Sequence, residues 1–488
     1  MTESSSFEDD FVAFQERLRP LMKTEPLLWR LRDSLYNDLR YSRAGHEETR
    51  RHRLGNFSWN AWMLRNVIRS LLRPGTRCDV HTQPRFGFLF HGSQDAHFAT
   101  LLPIVRELAR SEPVTVWRLA LNHEQNSLLD KIDNVTCIAI DSWNEGLGWS
   151  PARTSISEAK RASRLQSKFA NYSGLSLEEQ IQAEKKQSQI TETIFEYFRW
   201  TRIWSRAFET LPTLALFLTS ETSPPAKAVR DMMREADCRV IHFLHGLPNT
   251  THQVTYATDL CVYNTSQQEW FRQRVAKDMH VRTIGNPRLE QIRMSVAQTR
   301  SRRSDEPFRL LYFSQVPGSY YDRAARRIDL AILALNDSER TQFLLRVRPH
   351  PAESIDQLRG DLESVGITDC EFSACSLVDD LSWCDVAATT FSTALLEAAV
   401  CDRLCYWISA GEHVFRSIKD LCDDGIGKSI RSATEWRDEV KLIANLNVSP
   451  PAQITEQRLQ DLKIIPRTNQ SWFDRLEFSP SATPLATR

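Results

Sequence analysis

The stretch FLLRVRPHPAES, residues 343–354, runs a series of β-formers directly into Arg346, Arg348, His350 and Glu353. Guanidinium and imidazole groups at a strand end suit an anion, and a histidine there can be neutral or cationic near pH 7. Arg346 and Arg348 flank Val347, and Arg348, nearer the strand end, is the candidate for the site, with Arg346 read as facing outward. A second group, TTFSTALLEA at 389–398, places Thr390, Ser392 and Thr393 before an apolar run that contains Glu397. Hydroxyls at a helix start, with its free N–H groups and dipole, can hold a phosphate, although Ser and Thr also serve there simply as caps. Ser314 follows the run FRLLYF in the same half of the chain.

Three other residues could take a proton from a hydroxyl: Asp95 in GSQDAH, Glu221 in TSET and His245 in HGLP, each placed after a run of strand formers. An unperturbed imidazole titrates near about 6.5, so a histidine base predicts an acidic limb there. Gly285-Asn286-Pro287 reads as a turn that closes a strand.

These groups need a scaffold that brings strand ends together. With 488 residues the chain exceeds what a single core usually serves, which predicts two sizeable domains. The run from 85 to 120 reads strand, Gly-containing loop, amphipathic helix, strand, and that βαβ order recurs from 213 to 243, 259 to 288, 308 to 348 and 384 to 408. The polar bridge SVAQTRSRRSDEP, 295–307, marks the domain boundary. The prediction is two doubly wound α/β domains, 83–300 and 301–450. Helices are expected over 1–82 and inserted at about 153–210, and a tail at 451–488. In such sheets ligands gather at the carboxyl ends of the strands, where all of these candidates lie.

Hydrophobic residues make up 41%, and 62 Lys+Arg balance 62 Asp+Glu, which excludes disordered and fibrous classes and any bulk positive field for nucleic acid. The 10 cysteines show no CxxC spacing and are read as reduced thiols. The stretch MTESSSFEDDFVAF is acidic and unlike a secretory leader, and no apolar run of roughly 18 residues occurs, so a cytoplasmic location is expected. The segment NFSWNAWMLRNVIRSLLRP, 56–74, carries arginines without acids beside a Trp/Met/Val/Leu stripe. It either packs on the first α/β domain or lies on an anionic surface of the inner membrane.

The ordered set HGLP at 245–248, IGNPR at 284–288, RPHP at 348–351 and TTFSTALLEA resembles bacterial GT-B glycosyltransferases of surface-polysaccharide assembly. The likeness is to capsule-type Kdo and sialic acid transferases and to teichoic acid polymerases that use CDP-glycerol, and it covers about residues 85–450. It implies two Rossmann-like domains facing a cleft, a nucleotide-sugar donor with no further cofactor, and a glycan or lipid-linked acceptor. It puts the nucleotide phosphate on His350, Ser392 and Thr393, the ribose on Glu397 and the base on His245. Cytidine nucleotides are expected to bind best. The paired-acid plus Gly motif of the Kdo and sialic acid enzymes has no clear counterpart, leaving Asp95 and Glu221 beside His245 as alternatives. No Asp-x-Asp triplet occurs, which speaks against the metal-dependent GT-A class. A sugar-nucleotide epimerase of the same shape and a silent binding subunit are the other readings.

Overall fold

The computed structural model describes residues 7–40, 85–91, 95–140, 149–246, 255–296, 307–317, 321–334, 341–351, 353–411, 416–445 and 472–476. Its strands form a seven-stranded and a six-stranded sheet, with every pairing parallel. The first contains β1 (Arg85–His91), β2 (Val114–Leu119), β3 (Val135–Ala139), β4 (Thr213–Leu218), β5 (Arg239–Phe243), β6 (Asp259–Val262) and β7 (His280–Thr283). The second contains β8 (Phe308–Phe313), β9 (Phe343–Arg348), β10 (Glu371–Phe372), β11 (Val386–Thr389), β12 (Leu404–Ile408) and β13 (Lys428–Ile430). A parallel sheet is covered on both faces, which is why RFGFLFH of β1, TLALFL of β4 and LCYWI of β12 are apolar almost throughout.

The strand orders are β3-β2-β1-β4-β5-β6-β7 and β10-β9-β8-β11-β12-β13. In each the order reverses once, between β1 and β4 in the first sheet and between β8 and β11 in the second. A crevice opens beyond the carboxyl ends at such a reversal. The residues that follow β1, β4, β8 and β11 therefore have first claim on a ligand.

Of the stretch 1–82, the described residues 7–40 form the helices Phe7–Leu18, Leu21–Thr24, Pro26–Arg30 and Arg32–Arg40. Phe11, Phe14, Leu35 and Tyr36 share one core with Trp117 of β2 and with Trp204 and Phe208 of the helix Gln187–Thr210. That core also takes in the helix Pro224–Glu235, so the start of the chain and the inserted helices form one layer over one face of the first sheet. The opposite face packs Phe88, Phe217 and Phe243 around the helix Asp95–Leu108, joined by Trp472 and Leu476. A further core is continuous from Leu244, Tyr263 and Leu289 in the first half to Phe391, Leu395 and Leu421 in the second. The segment 56–74 lies outside the described residues, as does most of the bridge 295–307. Among the described residues no helix is long and apolar enough to cross a membrane. The nine described cysteines are free thiols.

Candidate functional site

At the reversal point of the first sheet, imidazoles crowd together. His91 ends β1, His97 lies in the first turn of the helix Asp95–Leu108, His242 lies within β5 and His245 follows it. Thr219, directly after β4, holds two of them at once. Its carbonyl accepts from His245 Nδ1 at 2.7 Å, and its hydroxyl bonds His97 Nδ1 at 2.8 Å. The two rings lie 3.8 Å apart between centroids, tilted by 31°. Because a carbonyl only accepts, Nδ1 of His245 must carry the proton, which leaves the lone pair on Nε2. Burial pushes His245 down to about 4, helped by the His242 and Arg288 charges, and pushes His97 down to about 2. Both rings are neutral at pH 7. Desolvation penalises the imidazolium, so His245 titrates below the ordinary histidine value near 6.5.

Glu221 sits behind this pair in a different environment. Its Oε2 receives Arg230 Nη1 at 2.8 Å and the Tyr256 N–H at 2.8 Å, while Oε1 receives His242 Nδ1 at 2.7 Å and the Thr255 hydroxyl. Burial opposes its charge, yet the hydrogen bond and charge of His242, the charge of Arg230 and the Thr255 hydroxyl outweigh it. They hold the carboxyl well below the usual range. A carboxylate so engaged is a poor proton acceptor and a firm anchor. The anchor continues outward: Arg230 also pairs with Asp231 at 2.7 Å, Asp231 accepts from Tyr197 at 2.8 Å, and Lys227 pairs with Asp33 of the N-terminal helices at 2.6 Å. His242 Nε2 is buried with no hydrogen-bond partner among the described residues. Asp95 opens its helix, and its side chain is not among those described.

The second sheet arranges its candidates in two ways. Arg348 Nη1 donates to Asp380 Oδ2 at 2.6 Å and to the Cys375 carbonyl at 2.8 Å, and Arg346 Nη1 reaches Asp380 Oδ1 at 3.3 Å. Residues two apart on a strand share a face, so both guanidiniums meet one buried carboxylate. The outward placement of Arg346 is corrected accordingly; its guanidinium also covers the Trp383 ring at 3.9 Å. Glu353 braces the turn that carries His350: it accepts from Ser314 at 3.1 Å and from the His350 N–H at 3.2 Å, and pairs with Arg326, which also holds Asp361. His350 itself is exposed, and partial desolvation of its ring lowers its pKa.

Thr390 lies deeper. Its hydroxyl is within 3.3 Å of Tyr312 and 3.2 Å of Tyr321, in a buried network that includes Asp329. Its side chain is buried. Thr389 donates to the Phe313 carbonyl at 2.8 Å and accepts from the Ser392 N–H at 3.2 Å, which ties the ends of β8 and β11 together across the reversal point. Ser392 Oγ accepts from the Ala394 N–H at 3.2 Å, and Thr393, at the start of the helix Ala394–Val400, makes no side-chain capping bond. Glu397 in that helix is 3% exposed and pairs with Arg288 Nη2 at 2.8 Å.

The two halves meet at these motifs. A Cβ added to Gly246 would lie 3.8 Å from Thr393 Cγ2, so the His245-Gly246 turn abuts the Ser392-Thr393 turn. Arg288 crosses from the helix Pro287–Ser295 to Glu397, and Ser266 donates to Asp424 at 2.5 Å. The structure thus brings together His245, Ser392, Thr393 and Glu397, with Ser314 and His350 on neighbouring strand ends, and sets Glu221 and Thr390 behind them as supports. Sequence reading missed His97, Thr219, His242 and Asp380, and placed Arg288 in the IGNPR motif without a partner. Of the missed four, His242 left a signal, as a polar residue inside the apolar run VIHFL.

No protein-family model matches the chain, and no curated protein matches it significantly. Solved structures do. A UDP-GlcNAc 2-epimerase from Neisseria meningitidis bound to UDP-GlcNAc matches with TM-score 0.50 at 10% identity, over 78% of this chain and 97% of that one. An O-GlcNAc transferase variant from Thermobaculum terrenum matches with TM-score 0.45 at 13% identity, over 96% and 81%. MurG from Acinetobacter baumannii matches with TM-score 0.38 at 12% identity, over 78% and 95%. With the two parallel sheets, the first of these establishes the fold: the chain has the GT-B architecture of two Rossmann-like domains facing a cleft.

Proposed function

We propose that this chain is an inverting, metal-independent glycosyltransferase that moves a sugar from a nucleotide-linked donor to a glycan or lipid-linked acceptor. The observation that carries the reading is the contact between the His245-Gly246 turn of one domain and the Ser392-Thr393 turn of the other, each beside its sheet's reversal point. A neutral imidazole of fixed tautomer then belongs to the turn that abuts hydroxyls and backbone N–H groups suited to phosphate.

In the proposed reaction His245 Nε2 takes the proton of the acceptor hydroxyl as its oxygen forms a bond to the anomeric carbon. The bond from that carbon to the donor phosphate breaks on the opposite side, which inverts the centre. The electron pair leaves with the phosphate, where His350, Ser392 and Thr393 meet the growing negative charge. Arg348, with Nη1 engaged by Asp380, adds its field near Glu397. Glu221 serves as an anchor, and Asp95 stands as the alternative base.

The resemblance of the motifs favours cytidine-linked donors, and the UDP-GlcNAc of the meningococcal structure puts uridine-linked sugars beside them as candidates. The test incubates the protein with CMP-, CDP-, UDP- and GDP-linked sugars, with and without glycan acceptors, and follows both nucleotide release and the stereochemistry of the remaining donor. Acceptor-dependent release supports transfer. Conversion of the sugar nucleotide with no acceptor would make the protein an epimerase, and nucleotide binding without either reaction would make it a binding subunit.

A further inference from the structure

Two helices meet where the first domain touches the second, Thr265–Arg272 from one and Arg416–Asp423 from the other. The start of the first helix is tied by its own side chains. Asn264 accepts the Gln267 N–H at 2.8 Å as a cap, and Gln267 Oε1 accepts the Tyr263 N–H at 2.9 Å. Because a backbone N–H only donates, the second bond fixes which end of the amide is which, and leaves Nε2 as a donor still to be placed. Gln267 is 4% exposed, and its Nε2 has no hydrogen-bond partner among the described residues.

The facing helix poses the same problem. Ser417, Asp420, Leu421 and Asp424 recur at the three- and four-residue spacing of one helical face. Ser417 is also 4% exposed, and its hydroxyl likewise has no partner among the described residues. Gln267 and Ser417 line one cavity of about 10 Å³, whose other walls include Trp270 and Leu421 of the shared core. Ser266, on the same wall as Gln267, donates to Asp424 Oδ2 at 2.5 Å, so the cavity lies at a polar contact between the domains.

Volume and chemistry select the occupant. A space of about 10–15 Å³ is the smallest that admits one water, and nothing larger fits. A cation would meet the N–H groups of Gln267 Nε2, and an anion would meet the carboxylates of Asp420 and Asp424. Only a neutral molecule that both donates and accepts suits this lining. We infer that one ordered water sits between Gln267 Nε2 and Ser417 Oγ and bridges the two domains. Its oxygen accepts from Nε2, and it exchanges a second hydrogen bond with the Ser417 hydroxyl. Two buried groups are then satisfied by one molecule, at a site that each domain half builds. This inference does not depend on the reaction proposed above.

A crystal structure of the full chain, at a resolution that shows ordered solvent, is the direct test. It should place a water within about 3.2 Å of both Gln267 Nε2 and Ser417 Oγ. An anomalous peak there after a rubidium soak would make it a cation site and overturn the inference. Gln267 and Ser417 bonded to each other with no solvent between them would overturn it equally. Melting temperatures give a second reading. Gln267→Met and Ser417→Ala should each lower the midpoint by about 2–4 °C, since each leaves the water short of a partner. The double variant should fall by clearly less than the two shifts together, because with both partners apolar no buried group is left wanting the water. The Tyr263 N–H that Gln267→Met also frees is common to the single and the double variant, so it cancels in the comparison. Fully additive shifts would mean that the two side chains share no molecule, and the inference would fail.

Discussion

The two reversal points treat charge in opposite ways. In the first sheet, His97 and His245 are desolvated until they are neutral, and the buried charged groups behind them are paired, Arg230 with Glu221 and Asp231, and Lys227 with Asp33. In the second sheet, carboxylates tie down the scaffold, with Asp380 on two guanidiniums and Glu353 on Arg326, while His350 and the Ser392-Thr393 turn stay within reach of a ligand. A proton acceptor gains from a dry, neutral setting that keeps its lone pair available. A phosphate site gains from donors that water or an anion can reach. The difference is what the proposed division of labour between base and leaving group requires.

The largest effect should come from breaking this buried cluster. Glu221→Ala leaves Arg230 and His242 facing each other without their shared carboxylate, and loss of one partner from a buried ion cluster should cost about 3–5 kcal/mol in stability. Chemical denaturation would read it. A loss under about 1 kcal/mol, the value of an exposed pair, would mean that the buried carboxylate does not hold the cluster together.

The neutral setting of His245 has its own signature. Its folded pKa, about 4, lies below the ordinary histidine value of 6.5. In that window the unfolded chain binds a proton that the folded chain does not, so this stability is full above the upper value and is lost as pH falls toward the lower one. His245→Ala should flatten that part of the stability profile, and the acidic limb of kcat/KM near 4 should disappear with it. If the limb persists unchanged in the variant, Asp95 is the better base.

His97→Phe keeps a ring against His245 and removes the bond to Thr219. The looser imidazole should lower transfer about tenfold, since small misplacements of a reacting group are costly, while nucleotide affinity stays unchanged. Equal loss in both would mean that the change acts on folding and not on the base.

How much of this was legible in the sequence depends on the kind of contact. The apolar runs of β1, β4, β8 and β11 marked the strands that flank the two reversal points, because a buried parallel strand writes itself as continuous hydrophobicity. β3, at an outer edge, and the two-residue β10 and three-residue β13 carried too little pattern to be seen. His245, Ser392, Thr393 and Glu397 were legible as residues after strands or within the helix that follows. The pairing of Arg288 with Glu397 was not, since 109 positions separate them (397 − 288) and only the meeting of two domains joins them. Thr219 was equally silent, because its carbonyl, which any residue would offer, does half of its work.

The central claim is that the donor belongs to the second sheet and the base to the first, and donor affinity measured beside single-turnover transfer tests it most directly. His245→Ala should keep the parent's nucleotide-sugar affinity and lose transfer by roughly 100-fold or more. His350→Ala should lose about 2–4 kcal/mol of transition-state stabilisation together with donor use, because its contact is to phosphate charge that grows as the bond breaks. The reverse pattern, with His245→Ala abolishing donor binding and His350→Ala turning over donor at the parent rate, would contradict the account.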